Sequence, residues 1–131
     1  MASRSILLID DDADDQFVFA DALNTVNPAI SIELALDGME ALEKLSARET
    51  TRPHLIFVDL NMPRMNGKNF LREIKSLPDL NAIPVIIYST SSNPADIAET
   101  KALGATDFIT KPNSYDKLCN VLSSALKANL V

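Results

Sequence analysis

Five short apolar runs, residues 6–9, 30–35, 55–58, 85–88 and 108–109, start 23 to 30 residues apart, and a helical pattern follows each. Repeated strand–helix alternation leaves few ways to fold. Right-handed crossovers between such units build a parallel sheet with helices on both faces, and the uneven spacing excludes a solenoid. Runs one, three and four are apolar throughout, as interior strands covered on both faces must be. Run two alternates, with Ile30, Ile32 and Leu34 against Ser31, Glu33 and Ala35, and so belongs at an edge. The simplest arrangement is α/β: a doubly wound five-stranded parallel sheet of order 2-1-3-4-5, whose strand order reverses between strands one and three.

Apolar residues repeat at helical spacing in Val18, Phe19, Ala22, Leu23 and Val26, then in Ala41, Leu42 and Leu45, and again in Phe70, Leu71, Ile74 and Leu77. A shorter stripe holds Ile97, Ala98, Ala102 and Leu103, and the last holds Tyr115, Leu118, Leu122 and Ala125. Boundary residues agree. Asp37 with Glu40 forms a capping-box pattern, Asn93-Pro94 starts and Gly104 ends the fourth helix, and Ser114 caps the last. No linker or second compositional regime interrupts the 131 residues. The expectation is one domain over residues 1–131, with its core at about 4–127.

This topology places the polar residues. Asp10 and Asp11 follow strand one, Asp59 follows strand three, Ser89 and Thr90 follow strand four, and Lys111 follows strand five. All belong to the carboxyl rim, where open α/β sheets bind ligands at the reversal of strand order. Three carboxylates meeting there repel one another unless a cation joins them. An oxygen-only set without His or Cys suits a hard ion, and few protein ligands with room for water or phosphate favour Mg²⁺. Charge is distributed accordingly: residues 1–40 carry nine acids and one base, within a net charge of −6. The absence of a basic stripe argues against nucleic-acid binding. Asp10-x-Asp12-x-Asp14 mimics the start of an EF-hand loop, but Asp15 stands where that loop needs Gly, and a strand precedes it. Asp12, Asp14 and Asp15 read instead as solvated acids of a first helical turn.

No apolar run approaches the roughly 18 residues of a membrane span, and the N-terminal run is too short for a signal-peptide core. The lone cysteine, Cys119, fits a reducing compartment and a packing role. A soluble, cytoplasmic protein without membrane contact is expected. His54 reads as structural or surface, and Met62 and Met65 as loop packing.

The segment Ile6-Leu7-Leu8-Ile9-Asp10-Asp11-Asp12 resembles the opening of a response-regulator receiver domain. Asp59-Leu60-Asn61-Met62-Pro63-Arg64-Met65-Asn66-Gly67 is similar to that family's phosphoacceptor loop. Ser89 follows Asp59 by 30 residues and Lys111-Pro112 follows Ser89 by 22, both as in the family. The resemblance implies a flavodoxin-like fold and a role for each site residue. Asp59 would be the phosphoacceptor. Asp11 would ligate Mg²⁺ directly and Asp10 mainly through water, with Asp59 and the backbone carbonyl of Asn61 as further ligands. Lys111 would pair with Asp59 and then with phosphoryl oxygens, and Ser89 would hydrogen-bond one of them. Phe108 would be the aromatic switch that follows Ser89, although its position also suits simple core packing. Asn61, Thr90 and Ser91 would govern phosphate access and phosphoryl lifetime, and the Lys111–Pro112 bond would be cis. Three departures stand out. Ser89 replaces the commoner Thr, Thr90 is larger than the usual Ala, and Phe108 lacks the hydroxyl of the common Tyr.

The function so implied is a stand-alone switch of a two-component phosphorelay with no output domain. It would accept phosphate from a histidine kinase or phosphotransfer protein. It would signal to a downstream protein through helix four, strand five and helix five, or by onward phosphotransfer. Homodimerisation on phosphorylation is left open. As an enzyme it would catalyse only its own phosphoryl transfer and dephosphorylation. Two other readings compete: a Mg²⁺-dependent phosphohydrolase, for which no covering cap domain fits in this length, and a receiver-like module that acts by binding alone. The intact set of Asp10, Asp11, Asp59, Ser89 and Lys111 counts against the latter.

Overall fold

The computed structural model describes residues 4–47 and 52–130, so the outermost residues of the expected 1–131 domain lie outside the described residues. The chain runs β1 (Ser5–Ile9), α1 (Ala13–Val26), β2 (Ser31–Ala35), α2 (Gly38–Ala47), β3 (Leu55–Val58), α3 (Gly67–Ser76), β4 (Val85–Ser89), α4 (Pro94–Ala102), β5 (Asp107–Thr110) and α5 (Tyr115–Asn129). All strand pairs are parallel, in the order β2-β1-β3-β4-β5. Each apolar run of the sequence has become a strand, with ends shifted by no more than one residue.

Successive residues of a strand point to opposite faces, so each interior strand feeds two cores. Leu7, Ile9, Ile56, Val58, Val85 and Ile87 pack against Ala41 and Leu45 of α2 and Phe70, Leu71 and Ile74 of α3. On the other face Ile6, Leu8, Leu55, Phe57, Ile86 and Tyr88 meet Phe19 and Leu23 of α1 and Leu118 and Leu122 of α5. Each large apolar side chain so buried contributes roughly 1.5–3 kcal/mol. Phe19, Phe57 and Tyr88 add edge-to-face contacts, with centroids 5.0 to 6.3 Å apart.

The helix starts are capped as local chemistry requires. Asp12 accepts from the amides of Asp14 and Asp15, Asn66 from Asn69, Asn93 from Ala95, and Ser114 from Lys117. Gly104, at φ 107°, supplies the left-handed turn after α4 that a side chain would resist. Cys119 and His54 are structural, as read: Cys119 packs beside the second core, and His54 Nδ1 accepts the Ser5 amide at 3.1 Å.

Three expectations are corrected. Ile97, Ala98 and Ala102 of α4 are exposed, and the buried residue of that helix is Thr100. Its hydroxyl donates to the carbonyls of Asp96 and Ile97 at 2.8 and 3.2 Å, so a polar side chain can face the sheet satisfied. In α1, Val18 is exposed and Gln16 is buried, for the same reason: the Gln16 amide donates to the carbonyls of Asp10 and Ala35 at 2.8 and 3.1 Å. The Lys111–Pro112 bond is trans, the form the tertiary amide still prefers. Among the described residues no helix is long and apolar enough to cross a membrane.

Candidate functional site

Ladder hydrogen bonds continue one residue past the strands and set the rim. The Asp10 amide donates to the Ala35 carbonyl at 3.0 Å, that of Asp59 to Ile9 at 2.9 Å, and that of Lys111 to Ser89 at 2.7 Å. Gln16 ties the backbone of Asp10 to that of Ala35 from α1. The three charged residues are therefore held at their first atoms by β-pairing before any side-chain contact forms.

The carboxylates of Asp10, Asp11 and Asp59 converge, each offering an oxygen within 4.8 Å of the others. Asp10 is fully buried, Asp59 nearly so, and Asp11 is exposed. One ammonium opposes them: Lys111 Nζ donates to Asp10 at 2.8 Å and to Asp59 at 3.3 Å, and a third bond at 2.7 Å goes to Asp15. Burial pushes the Asp10 carboxyl above the usual carboxylate range. The bonds from Lys111 and from the Asp12 amide oppose that rise, and the charge of Asp59 adds to it. Burial alone would lower the Lys111 ammonium, but its bonds to Asp10 and Asp15 and the charge of Asp59 together outweigh it and hold it above the ordinary lysine range. The Tyr88 ring centre lies 5.5 Å from Nζ, and burial pushes the phenol up to about 12. Hard oxygen donors with uncompensated negative charge fit a divalent cation.

The sequence profile of the response regulator receiver domain matches residues 6–123. The chain belongs to this family. Response regulator Rcp1 of Synechocystis sp. is 32% identical over 119 residues, 88% of this chain and 81% of that protein. Some relatives are much longer: protein-glutamate methylesterase/protein-glutamine glutaminase 1 of Myxococcus xanthus is 34% identical over 82% of this chain, which spans 30% of its length. Among solved structures, the phosphorylated cyanobacterial phytochrome response regulator RcpA superposes with a TM-score of 0.89 at 33% identity, covering 98% of this chain and 95% of its own. The Mn²⁺-bound form of Rcp1 follows at 0.83 and 30%, covering 95% and 92%.

The remaining residues singled out in the receiver sequence divide. Ser89 is buried at the rim, its hydroxyl oxygen accepting the Ser91 amide at 3.3 Å, while Thr90 and Asn61 are exposed. The Ser91 hydroxyl donates to Asp96 at 3.0 Å, so it is turned toward α4. Phe108 is half-buried against the first core and lines a cavity of about 280 Å³ with Ile97, Thr100 and Ala105.

Four features of this receiver escaped the sequence reading. Asp15 is not a merely solvated acid but the partner at 2.7 Å from Lys111. It occupies the third position after the Asp12 cap, where an acidic side chain commonly turns back toward the helix start; that spacing was the available signal. Gln16 and Tyr88 had no such signal, because their partners are distant in the chain. Arg64, at φ 60° in the segment after Asp59, donates to Asp37 at 2.7 and 3.1 Å. That guanidinium holds the Asp37 carboxyl below its ordinary range. Gly67 has a local reason of its own: a Cβ there would collide with the backbone carbonyl of Asp59.

Proposed function

We propose that this chain is a phosphorylation-controlled signalling switch whose Asp59 accepts a phosphoryl group, with Mg²⁺, from a histidine kinase or phosphotransfer protein. The observation that carries this reading is the meeting of the Asp10, Asp11 and Asp59 carboxylates with the Lys111 ammonium on one rim. A carboxylate attacks without a general base. One Asp59 oxygen forms a bond to phosphorus as the phosphorus–nitrogen bond of the donor histidine breaks. The electron pair stays on the imidazole nitrogen, which takes up a proton.

Phosphoryl transfer demands positioning and neutralisation of the equatorial oxygens. Mg²⁺, held by Asp10, Asp11, Asp59 and the Asn61 carbonyl, would supply part of that charge. Lys111 neutralises another oxygen, and Ser89 donates its hydroxyl proton to a third. Thr90, Asn61 and Ser91 set how readily donor and water reach the phosphorus. The chain thus catalyses only its own phosphorylation and dephosphorylation, in the cytoplasm and without nucleic acid or membrane.

The new group brings about 1.5 to 2 negative charges to the rim. It draws Ser89 and the end of β4 inward, and Phe108 follows by packing into the cavity between α4 and β5. A downstream protein reads that change on the α4–β5–α5 face; a second copy of the chain is an alternative reader.

The test is to incubate the protein with acetyl phosphate and Mg²⁺ and to weigh it intact beside Asp59→Asn. A gain of one phosphoryl group, absent from the variant, supports the reading. No gain in a protein shown to bind Mg²⁺ overturns it in favour of a module that works by binding alone.

A further inference from the structure

An ammonium has three protons to donate, and those of Lys111 are all taken: by Asp15 at 2.7 Å, Asp10 at 2.8 Å and Asp59 at 3.3 Å. The shortest bond goes to the one acid outside the converging carboxylate cluster. Asp15 approaches from the first turn of α1, where the Asp12 side chain fixes its amide at 3.1 Å. The positive end of the helix favours its charge. On the same side lies the Tyr88 ring, 5.5 Å from Nζ, and Asp15, Tyr88 and Lys111 share a groove with Val18 and Ser114. The ammonium is drawn toward α1 and away from the atom it must serve.

We propose that Asp15 is a positioning residue that restrains Lys111, competing with a phosphoryl group on Asp59 for the ammonium. The proposal rests on the phosphoacceptor reading above. Phosphorylation turns the attacking Asp59 oxygen into the bridging oxygen of an acyl phosphate and brings in anionic oxygens that need a donor from Lys111. Of the two other acids, Asp10 is fully buried, whereas the Asp15 side chain is 41% exposed, so water can take the place of the ammonium there. Asp15 is therefore the partner that gives way. Until it does, it withholds one donor and adds a negative charge where an anionic phosphodonor enters. The chain carries a brake on its own phosphorylation, set by a residue that touches neither metal ligands nor phosphorus.

The experiment compares Asp15→Asn with wild type in the rate of phosphoryl uptake from acetyl phosphate at saturating Mg²⁺, followed by intact mass, with Mg²⁺ affinity measured by calorimetry. The variant takes up the group about two- to fivefold faster, while its Mg²⁺ affinity stays equal or falls. Asp15→Ser, which also removes the charge, accelerates similarly, and Asp15→Glu, which keeps it, returns the rate toward wild type. Asp14→Asn serves as control, because Asp14 is exposed on the same turn and makes no side-chain contact with Lys111. Unchanged or slower uptake in folded Asp15→Asn, or equal acceleration in Asp14→Asn, overturns the restraint alone. A wild-type chain that gains no phosphoryl group overturns the phosphoacceptor reading and the restraint with it.

Discussion

Lys111 Nζ lies 2.8 Å from Asp10 Oδ2 although 101 residues separate the two in the chain. Asp10 directly follows β1 and Lys111 directly follows β5, with β3 and β4 between them in the sheet. The lysine side chain therefore reaches across two strand ends to compensate a fully buried carboxylate. A buried charge deprived of its partner is strongly unfavourable, so the pair holds the rim together.

Lys111→Ala leaves the Asp10 and Asp59 charges facing each other without their ammonium. In Mg²⁺-free buffer its unfolding free energy should fall by about 1–3 kcal/mol. Added Mg²⁺ should restore part of that loss, because the metal takes over the neutralisation. Calorimetric titration should show Mg²⁺ affinity at least equal to wild type, while phosphoryl uptake is weakened. A variant that loses Mg²⁺ affinity would contradict the assigned role.

Gly67 starts α3 directly against the backbone of Asp59. A methyl group there must displace either α3 or the Asp59 carbonyl. Gly67→Ala should cost about 1–3 kcal/mol in chemical denaturation and slow phosphoryl uptake, since the same carbonyl belongs to the proposed phosphoacceptor. Wild-type behaviour in both measurements would show that the helix start shifts freely.

The Asp37–Arg64 pair gives a pH dependence with a definite sign. Hydrogen bonding from Arg64 holds the Asp37 carboxyl below its ordinary 3.8. A depressed carboxylate stabilises the fold fully above the unfolded value, and that contribution is lost as pH falls through the lowered one. Asp37→Asn should therefore show a shallower fall in melting temperature below about pH 4 than wild type does. Parallel acid limbs for the two proteins would refute the coupling.

Lys68 of α3 bridges to Asp96 at 2.7 Å and Glu99 at 2.6 Å on α4, and Asp96 in turn accepts from Ser91. Bridges this exposed contribute little to global stability, under about 1 kcal/mol, yet they fasten the segment between β4 and α4. Lys68→Met should leave the melting temperature nearly unchanged while amide hydrogen exchange at residues 91–93 quickens. Protection identical to wild type would mean the segment is held by other contacts.

Parts of this fold are legible in the amino-acid sequence. A strand that alternates, as residues 30–35 do, has one wet face, and the sheet places it at an edge. The continuous runs at 55–58 and 85–88 became interior strands with both faces dry. Asp10, Asp59 and Lys111 were placed on one rim because each directly follows a strand. Helical stripes served less well. Val18 and Ile97 lie at apolar spacing yet are exposed, while Gln16 and Thr100 are buried because hydrogen bonds to backbone carbonyls satisfy them.

By itself, the sequence determined the period-two and helical patterns, the order of elements and which residues stand at strand ends, since all of these depend on near neighbours. Only the tertiary structure decided who shares the Lys111 ammonium. That assignment depends on the rotation of α1 about its axis and on the stagger of strands one, three and five, set by packing on both faces of the sheet. It turned Asp15, one of five acids in a short run, into the residue nearest the lysine.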